Sequence, residues 1–558
     1  MKNLTKFKLN RRRLAVHLAL SIGMALLFLA ALLGGLQSTT PVSSDSDTLY
    51  VDGATGSDDS DCRNLAAPCA SISYALTQAE NGDEIHVAAG AYTETLDIRR
   101  TVILRGGYTM SGTLWLPCTG ETIVDAGGAN RPVFNIEPDT GATIEGFVVQ
   151  GANHTVGEGG GFFIFNSASV IISDTVIRDN STVGPGSGLW IESWAGAKNA
   201  QVSLINSTVV GNSSVGDTAG LATSGEGPLQ VTIENTVFTE NTGSDVLSLE
   251  QTFKMVGGRV SNNTVTERAI SIGGVGTISD TAIMSNTSRA LDIWDNGSLL
   301  AHNLIVRGNT GGEIVSRGML TLTNALIENN SGADWGLIVS ENFRETKRLV
   351  VDGCTIRGND NSPGVMYVTT GYAEIRNTRI VDNKPTGGVI NIGEDGTTPR
   401  VEMVNVLLAD NDTQGHAVVN HVTGYATLMN VTATGSDVSD NLILYTNGTM
   451  TVTNTIVWGN TTNDAMIGGP GALSVSYSDI EGGWAGIGNL DANPLFVNAA
   501  NRDYHLGAGS PCIDKGTAAG APAMDIDGDP RDAAPDMGAY ERVQIRTFLP
   551  LSLRNFGP

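Results

Sequence analysis

DTVIRDN, residues 174–180, recurs along the chain, and its recurrence decides the fold. Other copies are NSTVVGN (206–212), NTVFTEN (235–241), DTAIMSN (280–286), NLIVRGN (303–309), NALIENN (324–330), GCTIRGN (353–359), NTRIVDN (377–383), NVLLADN (405–411) and NTIVWGN (454–460). GGRVSNN (257–263), NVTATGS (430–436) and YSDIEGG (477–483) are weaker copies. Neighbouring copies stand about 25 residues apart on average, the period of a solenoid repeat. The fourth position is apolar in every copy, from Ile177 to Ile480. The second is mostly small, as in Thr175, Ser207 and Cys354, while the third and fifth mix charged, polar and apolar residues. That alternation is the mark of a strand with one buried face.

A unit of about 25 residues has room for two further strands and three turns. The gaps between copies supply them, as in GGFFIF (160–165), VIISD (170–174), LQVTIEN (229–235) and YATLMN (425–430). Each unit then makes one three-sided coil, and stacked coils pair their strands in parallel at about 4.8 Å. The fold expected is all-β, a right-handed parallel β-helix. Some fourteen coils would form a rod roughly 65 Å long. No coil buries its inner face alone, so stability comes from neighbours. The recurring Asn suits a left-handed corner, and stacked amides can ladder from coil to coil. Cys354, at the small inward position, reads as core. Arg307, Glu328 and Arg357 share the fifth position of successive copies and should stack as an ion-pair ladder.

The chain has 558 residues, 69 of them Gly, and a formal net charge of −25. So acidic a surface argues against a nucleic-acid partner. Residues 1–36 carry six bases and no acid, and Leu14–Leu36 is almost wholly apolar. This reads as a targeting helix, either a cleaved signal peptide or a membrane anchor, which would place the remainder outside the cytoplasm. A polar linker (37–47) follows. The N-terminal cap is expected over 48–82, with a helix within CASISYALTQA (69–79). The β-helix should run over 83–485, followed by a C-terminal cap over 486–541 and an apolar tail over 542–558. Cys62 and Cys69 flank a short loop and are the best candidate disulfide. The pairing of Cys118 and Cys512 stays open.

YVDGATGSD, PCASISYAL and NGDEIHVAAGAYTE, in that order, resemble the start of bacterial right-handed β-helix (pectin-lyase-like) surface proteins. NPLFVNAANRDYHLGAGSPCIDKG (493–516) and DIDGDPRDAAPDMGAYE (525–541) resemble the choice-of-anchor Q ending of such proteins. The resemblance implies a fold and a cell-surface setting. It implies no activity, because the fold hosts lyases, hydrolases and adhesins alike.

Candidate sites are sparse. Asp525, Asp527 and Asp529 alternate around Gly528, a cluster of hard oxygens that would suit Ca²⁺. The same stretch, with Asp532 and Asp536, also reads as a capping turn bonded to backbone amides and Arg531. Trp190, Trp194, Trp294 and Trp335 lie in or beside strands and could stack on sugar rings. Asp479 and Glu481 share an outward face as a carboxylate pair, while His416 and His421 match no metal motif. The basic candidates Arg178, Arg259, Arg307, Arg357, Arg379, Lys254, Lys347 and Lys384 have no evident acid cluster beside them apart from Glu328. No catalytic residue emerges. The leading reading is a non-enzymatic surface rod that displays or binds, in contact with polysaccharide or cell-envelope components. The alternative is a polysaccharide lyase or glycoside hydrolase, which should show acids and bases converging in a groove over several coils.

Overall fold

A computed structural model describes residues 47–542, apart from 112–113, 118–119, 168, 196–199, 342–347, 361 and 440. The expected targeting segment, Lys347, Cys118 and the apolar tail therefore lie outside the described residues. Among the described residues no helix is long and apolar enough to cross a membrane.

The architecture is a parallel β-helix. Among the described residues, 31 strands join in one sheet and 18 in a second. One coil shows the plan. Ser169–Ser173 forms the first face, Val176–Arg178 the second, and Ser181–Thr182 with Leu189–Glu192 the third. Each strand pairs in register with its counterpart in the next coil, as Val170 with Val202 and Ile177 with Val209. Inward side chains from all three faces merge into one apolar cluster running from Leu49 to Ile480. Each such Val, Leu or Ile contributes about 1.5–3 kcal/mol by leaving water.

The heptapeptide turns out to hold two corners. Its first residue is left-handed in every copy, as Asp174 (φ 48°), Asn206 (φ 49°) and Gly353 (φ 66°). So is its sixth, as Asp179 (φ 54°), Gly211 (φ 65°) and Asn329 (φ 55°). Asp, Asn and Gly recur there because they tolerate that conformation best. The final Asn was expected to take the corner itself, and this is corrected: from Asn180 to Asn411 it is never left-handed. It turns inward instead. Asn309 shows the pattern, with Nδ2 donating to Asn330 Oδ1 and to the Ile283 carbonyl, both at 3.0 Å. Its own Oδ1 accepts from the Asn286 amide and Nδ2, again at 3.0 Å. The ladder runs unbroken through Asn180, Asn212, Asn241, Asn263, Asn286, Asn309, Asn330, Asn359, Asn383 and Asn411. Ser436 continues it, accepting from the Asn411 amide at 3.3 Å.

Cys354 is buried as expected, and burial pushes its thiol up to about 12. The ion-pair ladder forms too: Glu328 accepts from Arg307 and, at 2.7 Å, from Arg357. Burial alone would raise the Glu328 carboxyl, but the two guanidiniums overcome it and hold the group below the usual range. A depressed carboxyl stabilises the fold above its unfolded value and loses that contribution as pH falls through its folded value. Glu328→Gln should therefore cost about 0.5–1 kcal/mol near neutrality, discounted because both arginines stand half in water. Unfolding curves of the two proteins should converge in acid. A gap that persists unchanged at pH 3 would contradict the ladder.

At the N-terminus, Thr48–Val51 pairs in parallel with Glu84–Ala88. The helix is shorter than expected, spanning Ile72–Gln78. Glu94 accepts from the Ile72 and Ser73 amides, both at 2.9 Å, and Ile72 and Ala75 are buried. A disulfide joins Cys62 to Cys69.

The C-terminal region corrects a second expectation. Past the last coil the chain does not simply cover an end. It folds back along the second face, where Tyr504, Ile526, Ala539 and Tyr540 pack on Leu407 and Ala409. Leu506, Cys512 and Met537 pack on Ile456. Corner Asn side chains secure it: Asn405 Nδ2 donates to the Met524 carbonyl, Asn430 Nδ2 to Asp536 and Gly538, and Asn454 Nδ2 to Thr517.

Candidate functional site

The strap disposes of two sequence candidates. Asp479, expected outward, is buried beneath it and accepts from the Cys512 thiol at 3.0 Å and from the Ala492 amide at 3.0 Å. The three alternating Asp do not converge as a Ca²⁺ site. Asp525 accepts from the amides of Asp527, Asp529 and Glu541 at 2.8–2.9 Å. Asp527 instead pairs outward with Arg379 and with His505 at 2.8 Å. The turn is a strap fastening, as one reading of the stretch had it, with Arg531 bonded to Glu541 at 3.0 Å and to the Asp536 carbonyl at 3.4 Å. Among the described residues no group of three or more His, Cys, Asp or Glu is placed to hold a metal. His421 is core, bonded through Nδ1 to Thr446 Oγ1 at 2.8 Å, with its pKa lowered by burial, while His416 is exposed.

A different set of charges gathers on the third face. Asp292 lies between the core residues Leu291 and Ile293, so its side chain points outward. It is nonetheless buried, as are Ser271, Val315, Val339 and Asn391 in the same column of register neighbours. Tyr367, between Val339 and Asn391, is half-buried, and an outward column so largely shielded from water is the floor of a recess.

Three arginines stand over that floor. Arg268 donates through Nε to Asp292 at 3.1 Å and through Nη1 to Asp245 at 3.0 Å. Its guanidinium also lies 5.4 Å from the Trp294 ring centre. Arg317 reaches Asp292 at 2.8 Å and Glu341 at 3.2 Å. Arg289 Nε reaches the buried Glu313 at 2.8 Å. Burial pushes the Asp245 carboxyl up to about 6, against the pull of Arg268 and with help from Glu267. Glu313 Oε1 accepts from the Trp335 amide at 2.8 Å and so positions the turn that carries this indole.

Two clefts open beside this network, of about 440 and 480 Å³, and they share Asp334. The larger is lined by Trp335 and Tyr367. Trp335 is 65% exposed, and Trp194 and Trp294 are also exposed. Trp190 is not: at 8% exposure it packs into the wall and is withdrawn as a sugar platform. Trp194 Nε1 donates to Glu192 at 2.7 Å, which leaves its ring presented. The structure thus gathers Asp245, Arg268, Asp292 and Arg317, with Trp294 against Arg268, beside clefts lined by Arg289, Glu313 and Trp335, and none of these residues stands in the heptapeptide. Of the basic candidates there, Arg178 bonds Gln150 and Arg379 pairs with Asp527.

No protein-family model matches the chain, and no curated protein does. Several solved structures are similar to it. A pectate lyase is 13% identical, with 89% of this chain and 97% of that one covered at a TM-score of 0.33. The A-module of a mannuronan C-5 epimerase from Azotobacter vinelandii is 13% identical, with 80% and 100% covered at 0.30. Tailspike protein 3 of bacteriophage CBA120 is 9% identical, with 79% and 64% covered at 0.32. At that level no residue of theirs maps onto a residue here. By its own geometry the chain is a parallel β-helix protein with a charged, aromatic-rimmed recess on its third face.

Proposed function

We propose that this chain is an exported surface rod that holds a polysaccharide along its third face. One observation carries the reading: the exposed indole of Trp335 and the ring of Tyr367 line a cleft beside buried acids and arginines that are already locked to one another, with the exposed Trp294 against Arg268. Sugar rings stack on such indoles through their apolar C–H faces, and a preformed, rigid floor lowers the ordering cost of binding. A pyranose ring is about as long as one coil step, so a glycan laid along the rod meets equivalent positions in successive coils. In this reading residues 1–36 export the chain, the helix Ile72–Gln78 covers the first coil, and the stretch from 493 to 541 is the choice-of-anchor Q type of ending.

The test is titration of the full chain with glycan oligomers. Trp294→Ala and Trp335→Ala should each weaken the oligomer that binds by about tenfold, the worth of one stacked ring. Unchanged affinity in both would remove the recess as the binding face.

A second reading has its own observation. The acids and bases do converge over several coils, and burial pushes the carboxyl of Asp245, paired with Arg268, up to about 6. A carboxyl raised in this way could serve a lyase or hydrolase as its general acid. If it acts so, product release should fall as pH rises above about 6 and vanish in Asp245→Asn.

A further inference from the structure

The charge of the recess names the ligand it would take, given that the recess holds a glycan at all. The two clefts are lined by Glu267, Glu313, Asp334, Glu341 and Glu394, against one base, Arg289. Arg289 is held by Glu313, and Arg317 is shared between Asp292 and Glu341. Each of these guanidiniums is already paired with a carboxylate. Among the described residues the larger cleft has acids and aromatic rings in its lining and no basic side chain.

The rings are built in. A Cβ on Gly336 would come within 2.9 Å of the Tyr367 ring, and one on Gly364 within 2.7 Å. Two glycines therefore let Tyr367 lie against the backbone as a floor, with Trp335 beside it. Burial raises the Tyr367 phenol, so the ring stays neutral and its face electron-rich. An electron-rich face beside carboxylates attracts an ammonium by cation–π and Coulomb forces together.

We infer that the cleft between Trp335 and Tyr367 binds a polymer of amino sugars carrying free protonated amines, and that it disfavours uronate chains. Asp334 and Glu394 would receive the ammonium groups, while the indole and phenol receive the ring faces.

The full chain is titrated with a glucosamine hexamer, its fully N-acetylated counterpart, an oligogalacturonate of equal length, and oligolysine. The free-amine hexamer should bind at least about tenfold tighter than the acetylated one, and salt should weaken it. Asp334→Asn and Glu394→Gln should each weaken it several-fold while leaving the acetylated hexamer unaffected. Trp335→Ala should weaken both, and Trp335→Phe should restore most of the loss. Equal binding of the two hexamers, or preference for the oligogalacturonate, overturns the inference while the glycan groove stands. Tighter binding of oligolysine than of any sugar overturns it in favour of a basic peptide. Binding of no oligomer removes both the inference and the groove.

Discussion

Asn309→Ala should unfold this protein at markedly lower denaturant, with a loss of about 3–5 kcal/mol. The side chain is buried and makes four hydrogen bonds to neighbouring coils. Alanine would take this partner from the Ile283 carbonyl and the Asn286 amide inside the rod, and would leave Asn286 Nδ2 with the Val260 carbonyl alone. Each orphaned buried polar group costs about 1–3 kcal/mol, and a chain of polarised bonds loses more than its parts suggest. Asn309→Ser should be milder, because Ser436 already continues the same ladder through its hydroxyl. Stability in a solenoid is carried between neighbours, so the loss should also appear as faster hydrogen exchange in the coils on either side. A loss below about 1 kcal/mol, with exchange unchanged, would mean that the ladder is redundant to the apolar core.

The second large effect concerns the strap. Arg531 is buried, donating to Glu541 at 3.0 Å, to Asn405 Oδ1 at 3.0 Å and to the carbonyls of Gly538 and Ala539 at 3.0 and 3.1 Å. Arg531→Met would strand the Glu541 carboxylate and cost about 3–5 kcal/mol, the usual penalty for removing one partner of a buried pair. The rod would survive, because its core cluster is separate from those beneath the strap. Limited proteolysis should then cut within 491–542 while the coils resist. Replacing Glu541 by Gln in the same chain should restore part of the loss. Cleavage spread evenly over the coils would instead show that strap and rod unfold as one unit.

The fold was legible because its signal is repeated. One inward apolar position every 25 or so residues is enough to set strand, face and stack. The strap was legible in principle. Upstream the third and fifth positions of the heptapeptide carry groups such as Arg178, Arg357 and Glu328; under the strap they become Leu407, Ala409, Ile456 and Trp458. Apolar residues on an outward face announce a cover, although not which segment supplies it.

The recess was missed for a more basic reason. Its residues lie in the gaps between copies, where a second register runs through VLSL (246–249), ALDI (290–293), EIVS (313–316) and LIVS (337–340). Aligning those segments exposes Asp292 as a charge flanked by core residues. Even so, Asp245, Arg268 and Arg317 are up to 72 residues apart in sequence. Only stacking at about 4.8 Å per coil brings them within reach of one another.

The division follows from the range of the forces involved. Periodicity, left-handed corners and the inward Asn act within one coil or between adjacent coils, so the chain's own pattern specifies them. Which residues share a recess, which acids are locked by arginines and which face the strap covers depend on loop lengths that vary from coil to coil. These were decided only when the coils were stacked, and they determine where a ligand can go.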